Sequence, residues 1–271
     1  LQSSLSSTII PGVDAAIPDV WFAVGRHDDY PISPYGGSGD YVFQLFQRTT
    51  SSASAAQSAV NFLDLNWGND GAESQVPALW ATATGSGLGG YLAAQTSCAA
   101  GEVGYPCFRS GAVPIVVLIT DAVFHNGPSG YNYSGVSPTP PTYSTTITAL
   151  NSIHAKVICV WADGGYGTVE SDCRNLATST GAVDAGGSPL VFNITSSGGG
   201  LGSGLVNAIE TLASNVPIRV DAIVTDDPSD AVDAVTAFID RVQTNTSGSS
   251  VWDPATDSWR VCTTTATSTP G

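Results

Sequence analysis

The chain has 271 residues, which is enough for one large α/β domain or two smaller ones. Its 23 acidic residues against 8 basic ones give a formal net charge of −15, which excludes a basic nucleic-acid surface and favours a divalent cation as a partner. Charged residues make up only 11%, against about 25% in an average domain, and no apolar run approaches the ~18 residues of a membrane span. We therefore expect an extracellular or cell-surface protein that does not insert directly into a membrane.

Apolar periodicity divides the chain into helices with 3.6-residue spacing and short strands. In chain order the predicted elements are helix 1–13, strand 19–25, strand 41–48, helix 52–65, helix 73–84, strand 113–120, helix 143–154, strand 156–162, helix 168–179, strand 189–195, helix 201–214 and an extended segment 216–224. Most of the strands are continuous apolar runs, as in a parallel sheet covered on both faces, whereas 41–48 alternates like an edge strand. The sequence therefore predicts a doubly wound α/β fold with a mainly parallel sheet and one antiparallel edge strand.

From the two ends of the sequence we expect the chain to be part of a longer protein. The apolar stripe at 1–13 has no N-cap residue before it, so we expect the chain to begin inside a helix. The alternation of strands and helices stops after Val224. We predict an N-terminally incomplete domain over 1–224, with its first strand missing, and the start of a second incomplete module or tail over 225–271.

The five cysteines indicate an oxidising compartment. Cys98 and Cys107 flank a loop that contains glycines, and they form the first predicted disulfide. Cys159 and Cys173 connect a predicted strand to the helix after it, and they form the second. Cys262 is left over, and we expect its partner beyond the chain. The alternative is a reduced protein with five buried free thiols.

Three carboxylates are predicted to lie beyond the carboxyl ends of the strands, which is where parallel sheets bind their ligands. Strand 113–120 is predicted to end at Asp121, and the turn 68–73 between two predicted helices carries Asp70 and Glu73. Oxygen-rich groups of this kind favour Mg²⁺ or Ca²⁺. The alternative is that these residues only cap helices and form turns, where Asp and Glu are common.

Three motifs, in this order along the chain, resemble the von Willebrand factor A fold and more narrowly the I-like domain of integrin β subunits. Asp-Tyr-Pro-Ile-Ser-Pro-Tyr at 29–35 is similar to the Asp-x-Pro-Val-Ser-Pro-Tyr run after that domain's second strand. Asp-Gly-Ala-Glu at 70–73 resembles its Asp-Ala-Pro-Glu turn, and Leu-Ile-Thr-Asp-Ala at 118–122 resembles the end of its fourth strand. The resemblance extends over about residues 1–224.

The resemblance implies a metal site on the face at the carboxyl ends of the strands. In that family a divalent ion is ligated by an Asp-x-Ser-x-Ser loop, by the Glu of the helix turn and by the Asp of the fourth strand, and a carboxylate from the partner completes the coordination. Glu73 and Asp121 match the second and third roles, and Asp70 and Asn69 match an adjacent cation site. No Asp-x-Ser-x-Ser occurs in this chain. Binding of Mg²⁺ or Ca²⁺ is therefore expected to be weak or absent if the chain truly begins at Leu1.

Loops 26–40, 66–73 and 122–142 are predicted to converge on the same face and to form a docking surface. The loop 122–142 is long, and long loops inside compact domains are usually functional or disordered. Its tyrosines offer large amphipathic rings with few rotatable bonds. The predicted ligand-binding residues are Tyr35, Asn126, Tyr131 and Tyr133. The alternative is an idle surface loop whose tyrosines pack on the domain's own helices.

These observations together predict a binding protein without catalytic activity. No nucleophile with a nearby base is evident, and His27, His125 and His154 share no metal-type spacing. We expect an extracellular, metal-dependent adhesion or ligand-binding domain of the kind found in large bacterial surface or secreted proteins. The alternative is a structural or assembly module of a surface filament or large secreted protein with a vestigial metal site. The expected partners are a protein or surface ligand presenting a carboxylate, and neighbouring domains or chains of the same assembly.

Overall fold

The computed structural model describes residues 1–17, 19–64 and 68–215, together with Ser229, Asp233 and the segments 249–253 and 258–262. The chain divides into two compact units, Leu1–Val216 and Pro217–Gly271. The extended segment predicted at 216–224 and the predicted boundary at residue 224 lie outside the described residues, so both stay predictions.

Regular elements alternate along the first unit much as the apolar periodicity predicts. A π-helical turn at Leu5–Ile9 leads into the first α-helix. In chain order the elements are α1 Ile10–Ala16, β1 Phe22–Arg26, β2 Gln44–Thr50, α2 Ala53–Asn61, β3 Ala72–Glu73, α3 Gln75–Thr84, β4 Ile115–Phe124, α4 Tyr143–Ser152, β5 Lys156–Tyr166, α5 Val169–Ser179, β6 Val191–Ile194 and α6 Leu201–Asn215, followed in the second unit by β7 Ser249–Asp253 and β8 Ser258–Cys262. Among the described residues, no helix is both long enough and apolar enough to cross a bilayer.

The first unit is an α/β domain whose main sheet has four parallel strands in the order β3-β4-β5-β6. Strands β1 and β2 pair antiparallel in a separate two-stranded sheet. The predicted antiparallel strand is therefore present, but its partner is β1, and it does not extend the edge of the parallel sheet. In the second unit, β7 and β8 form an antiparallel pair.

Helices cover both faces of the parallel sheet, as its apolar strands predict. In β5, Val157 and Cys159 belong to a hydrophobic cluster that includes residues of α3, α4 and α5, whereas Ile158 belongs to one that includes residues of α1, α2 and α6. All three of these β5 residues are fully buried. Successive side chains of a strand point to opposite faces, so a continuous apolar run is what a doubly covered strand requires.

Two predicted boundaries next to the carboxylates are wrong. β4 does not end at Thr120, because it passes a bulge and continues to Phe124, where Val123 and Phe124 pair with β3. Glu73 is not in the first turn of a helix, because it belongs to the two-residue strand β3, and α3 begins at Gln75. Both errors have one cause: β3 pairs with the end of β4, and the paired residues lie far apart in the sequence.

Both predicted disulfides are confirmed. Cys98 is bonded to Cys107 across a short loop, and Cys159 of β5 is bonded to Cys173 of α5. Disulfides persist in oxidising environments, so the pair of bonds indicates such an environment for this protein.

Removing the Cys159–Cys173 bond should cost more stability than removing the Cys98–Cys107 bond. It closes the longer loop, with a sequence separation of 14 against 9, and both of its cysteines are completely buried, whereas Cys98 is half-buried. We expect Cys159→Ala/Cys173→Ala to lower the free energy of unfolding by about 3 kcal/mol, measured by urea denaturation. Cys98→Ala/Cys107→Ala is the matched control, and a larger loss in that control would contradict the prediction.

Candidate metal centre

The first acidic group of the site lies three residues beyond the end of β1. Asp29 is fully buried, and its Oδ1 accepts hydrogen bonds from the backbone N–H of Tyr30 (2.6 Å) and from the hydroxyl of Tyr133. Its Oδ2 has no hydrogen-bond partner. Because buried polar atoms are normally hydrogen-bonded, this oxygen marks a place where a further group is expected to bind.

A histidine follows the end of β4 and faces that oxygen. His125 is buried, and its Nδ1 lies 2.9 Å from the carbonyl oxygen of Tyr131. A carbonyl can only accept a hydrogen bond, so Nδ1 carries the hydrogen and Nε2 points into the site. Nε2 is 3.4 Å from Asp29 Oδ2 and 3.1 Å from Asp70 Oδ2. The ring of Tyr133 stacks on the imidazole, with centroids 4.2 Å apart.

The third group, Asp70, comes from the turn before β3 and lies on the solvent-exposed side of the site. Asp70 exposes 32% of its side chain, whereas Asp29 and His125 expose almost none. The ligand atoms of Asp29, Asp70 and His125 all lie within 4.8 Å of one another. Two carboxylates and an imidazole at this separation have the donor types and the spacing of a metal centre.

Glu73 adds a fourth acidic group beside this triad. Its backbone is fixed in β3, where its carbonyl oxygen accepts a hydrogen bond from the N–H of His125 (2.8 Å). Its Oε2 is buried and has no hydrogen-bond partner. Gly68 lies against this carboxyl group, and a Cβ at that position would come within 2.7 Å of Glu73 Oε1.

Burial and mutual repulsion make these carboxylates hard to ionise together in the metal-free protein. Burial, reinforced by the charges of Asp29, Asp28, Asp40 and Asp70, raises the pKa of Glu73 to about 9. Burial raises the pKa of Asp29 to about 7, although the hydrogen bonds from Tyr133 and Tyr30 act in the opposite direction. A cation between such groups removes the repulsion and lets them ionise.

The structure brings together only some of the predicted metal ligands. Asp70 belongs to the triad, and Glu73 lies beside it. Asn69 is exposed, and its backbone N–H donates to the carbonyl of Tyr35 (2.8 Å). Asp121 is exposed within β4, three residues before the end of the strand, and it belongs to neither group of candidate ligands among the described residues.

The sequence does not identify two residues of the triad as ligands. Asp29 is only part of a motif there, and the spacing of His125 from the other histidines is not typical of a metal site. The feature of the sequence that could have indicated them is their location just after strands. Asp29 follows β1, and His125 directly follows β4. Placing the end of β4 at Phe124 would have brought His125 to the carboxyl ends of the strands, where parallel sheets bind ligands.

Three of the four predicted ligand-binding residues support the triad from within the domain. The Tyr35 hydroxyl donates to the carbonyl of Ser134 (2.8 Å) and its ring packs edge-on against His125 and Tyr133. Asn126 has a positive φ of 55°, and its side chain accepts from the N–H of Tyr133 (3.0 Å) and donates to the carbonyl of Pro141 (2.8 Å). Tyr131 is different, because its residue surface is 39% exposed. A role in docking stays a prediction, and Tyr131 is the residue best placed for it.

A second group of potential ligands, Cys98, Glu102 and Cys107, has no metal-binding chemistry in the oxidised protein. Its two sulfur atoms are bonded to each other at 2.07 Å. Cysteine binds a metal as the thiolate, and a disulfide offers none.

Comparison with known proteins adds no further assignment of these residues. A scan against models of protein families finds no match to the chain, and a comparison with curated proteins finds none either. The site is therefore defined by its geometry.

The metal-free protein should lose stability as the pH rises from about 6.5 to 9. The folded chain holds the Glu73 proton up to a pKa of about 9, whereas the unfolded chain releases it near 4.5, so rising pH favours unfolding. In EDTA we expect the melting temperature to fall by about 3 °C or more over this window. Below pH 6.5 the protonation of His27 acts in the opposite direction, because burial lowers its pKa to about 4.

Glu73→Gln is the variant that assigns this pH dependence, since it removes the buried acid and keeps its shape. It should flatten the slope and raise the melting temperature in EDTA at pH 8. The matched control is Glu210→Gln, an exposed position on α6. An unchanged slope in Glu73→Gln would show that the dependence arises elsewhere.

Tyr133 should be a stability residue and Tyr131 should not. Tyr133→Ala removes the hydroxyl that donates to the buried Asp29 and the ring that packs on Tyr30, Tyr35 and His125. We expect thermal melts to show a loss of about 3 kcal/mol or more. Tyr131→Ala should change the melting temperature by only a degree or two, and equal losses in both variants would contradict this.

Proposed function

We propose that the first unit is an extracellular, metal-dependent adhesion or ligand-binding domain that acts without catalysis. The observation that carries the proposal is the oxygen Asp29 Oδ2, which is buried, has no hydrogen-bond partner and faces His125 Nε2 and the carboxylate of Asp70. Leaving a buried carboxylate oxygen unpaired is costly, and such groups are usually paired or coordinate a metal. A divalent cation bound by these three residues would remove that cost.

The architecture supports a von Willebrand factor A-like fold as the framework of this site. The parallel sheet is covered by helices on both faces, and two of the three motifs supply triad residues at one edge, Asp29 and Asp70. Strand β3 pairs with β4, and the N–H of Ser74, the next residue, donates to the carbonyl of Asp28 beyond β1. Among the described residues, β1 pairs only with β2. The resemblance implies a further parallel strand at the centre of the sheet.

The partner most compatible with this centre is a carboxylate on a protein or surface ligand. Three protein groups leave coordination positions of a divalent ion open, and Asp70 marks the side from which solvent and a partner approach. A negatively charged domain repels a free carboxylate unless a cation lies between them. Recognition of a carboxylate by this domain would therefore depend on a bound metal ion. The two disulfides support a location outside the cell or on its surface.

Titration of the full chain with divalent cations tests the centre. Isothermal titration calorimetry should reveal a saturable site, and Asp70→Asn should weaken it at least about tenfold because it removes a charged ligand. The matched control is Asp121→Asn, the same chemical change at an exposed position in β4. Loss of binding in Asp121→Asn with retention in Asp70→Asn would support the ligand set implied by the family resemblance instead. No saturable site would favour the structural-module alternative.

Carboxylate recognition is tested with succinate as the probe. In NMR spectra of the metal-loaded chain, succinate should shift the amide signals of residues around Asp70 and Tyr131, and EDTA should abolish the shifts. Shifts that persist in EDTA would contradict a metal-mediated contact.

A further inference from the structure

The candidate centre has a nitrogen ligand, and this restricts the ions it selects. We infer that the centre is built for Zn²⁺, or a transition ion of similar ligand preference, in place of the Mg²⁺ or Ca²⁺ that the sequence resemblance implies. The inference rests on the metal centre of the proposed function and names the ion that it holds.

The first argument is the orientation of His125. Its Nδ1–H is directed to the carbonyl oxygen of Tyr131 at 2.9 Å, and its ring is stacked by Tyr133 and met edge-on by Tyr35. A ligating histidine almost always donates its other ring N–H to a carbonyl or carboxylate, which fixes the ring and the tautomer. The free Nε2 lone pair is thus aimed at the two carboxylates by contacts that lie outside the centre.

The second argument is the chemistry of the donor set. Ca²⁺ and Mg²⁺ are hard cations that take oxygen ligands, whereas Zn²⁺ is bound by imidazole nitrogen and carboxylate oxygen. Imidazole suits Zn²⁺, Cu²⁺, Fe²⁺ and Ni²⁺. An oxygen-only site would gain nothing from a buried imidazole that directs its nitrogen at the ion, so His125 discriminates against the hard cations.

The third argument is size and charge. Bonds of about 2.1 Å in tetrahedral geometry place ligand atoms roughly 3.4 Å apart. His125 Nε2 lies 3.4 Å from Asp29 Oδ2 and 3.1 Å from Asp70 Oδ2, both close to that separation, and all three ligand atoms lie within 4.8 Å of one another. Two carboxylates balance the charge of a divalent ion, and the fourth position remains open on the exposed side of Asp70. Three protein ligands with an open position are the pattern of zinc sites that bind an external group.

The competing arrangement has no metal. If His125 is an imidazolium, its Nε2–H donates to the two carboxylates and the cluster is a buried ion network. That arrangement accounts for the distances, but it has no preference among divalent cations and gives no cobalt spectrum. Metal selectivity and spectroscopy therefore separate the two.

The experiment uses the full chain, stripped with EDTA and dialysed at pH 7.5. Co²⁺, which takes the place of Zn²⁺ in such sites, should bind with a stoichiometry of one and give visible d–d bands of four-coordinate intensity. Zn²⁺ should abolish the bands at equimolar concentration, whereas a hundredfold excess of Mg²⁺ or Ca²⁺ should leave them. His125→Asn should weaken Co²⁺ binding by about 100-fold or more, since it removes a ligand.

Two further variants guard against misfolding and adventitious binding. Asp70→Asn changes a partly exposed ligand and should lose the bands with the circular dichroism spectrum unchanged. His154→Asn changes an exposed histidine with a φ of 55°, which asparagine tolerates, and it should leave the bands intact. If Mg²⁺ or Ca²⁺ binds more tightly than Zn²⁺ in an Asp70-dependent way, the ion named here is wrong but the proposed function survives. If no divalent cation binds saturably, both the inference of Zn²⁺ and the metal-dependent function are wrong, and the metal-free imidazolium network is the correct arrangement.

Discussion

The arrangement of side chains around the end of β4 depends on one constraint, the burial of the Asp29 carboxylate. An ionised carboxylate with no exposed surface is unstable unless hydrogen bonds or a cation compensate it. One of its oxygens is satisfied by Tyr30 and Tyr133, and the other is left facing His125 and Asp70. The two halves of the same group therefore have different roles: Oδ1 fixes the group within the fold, and Oδ2 is available to an ion.

Tyr133 links the fixed half of Asp29 to the orientation of His125. Its hydroxyl donates to Asp29 while its ring stacks on the imidazole, so one residue positions two candidate ligands. Asn126 in turn accepts the N–H of Tyr133, which holds the segment after β4 in place. Segments after β1 and after β4 are thereby locked to each other through side chains. The precision that a metal centre requires is supplied by this packing, in agreement with the general need for outer contacts that orient ligands.

The sequence predicts what is local in this structure and misses what depends on distant strands. Apolar runs such as 156–162 identify buried strands because both faces are covered, and the cysteine positions suffice for both disulfides. The strand β3 could not be read from Ala72 and Glu73, since two residues carry no periodicity and their partners are Val123 and Phe124. The spacing of residues in the sequence could not identify the metal ligands for the same reason. The triad contains one residue from each of three separate segments, so no fixed sequence interval relates them.

Stability and binding are opposed at this edge of the sheet. Burial, reinforced by neighbouring acidic charges, raises the pKa values of Glu73 and Asp29, so ionising these carboxylates destabilises the metal-free fold. A domain selected only for stability would replace these acids with apolar or neutral polar groups, because isolated buried charges rarely contribute net stability. The proposed ion would restore the stability that these acidic groups cost. The same ion would then make the folded domain and its binding face depend on each other.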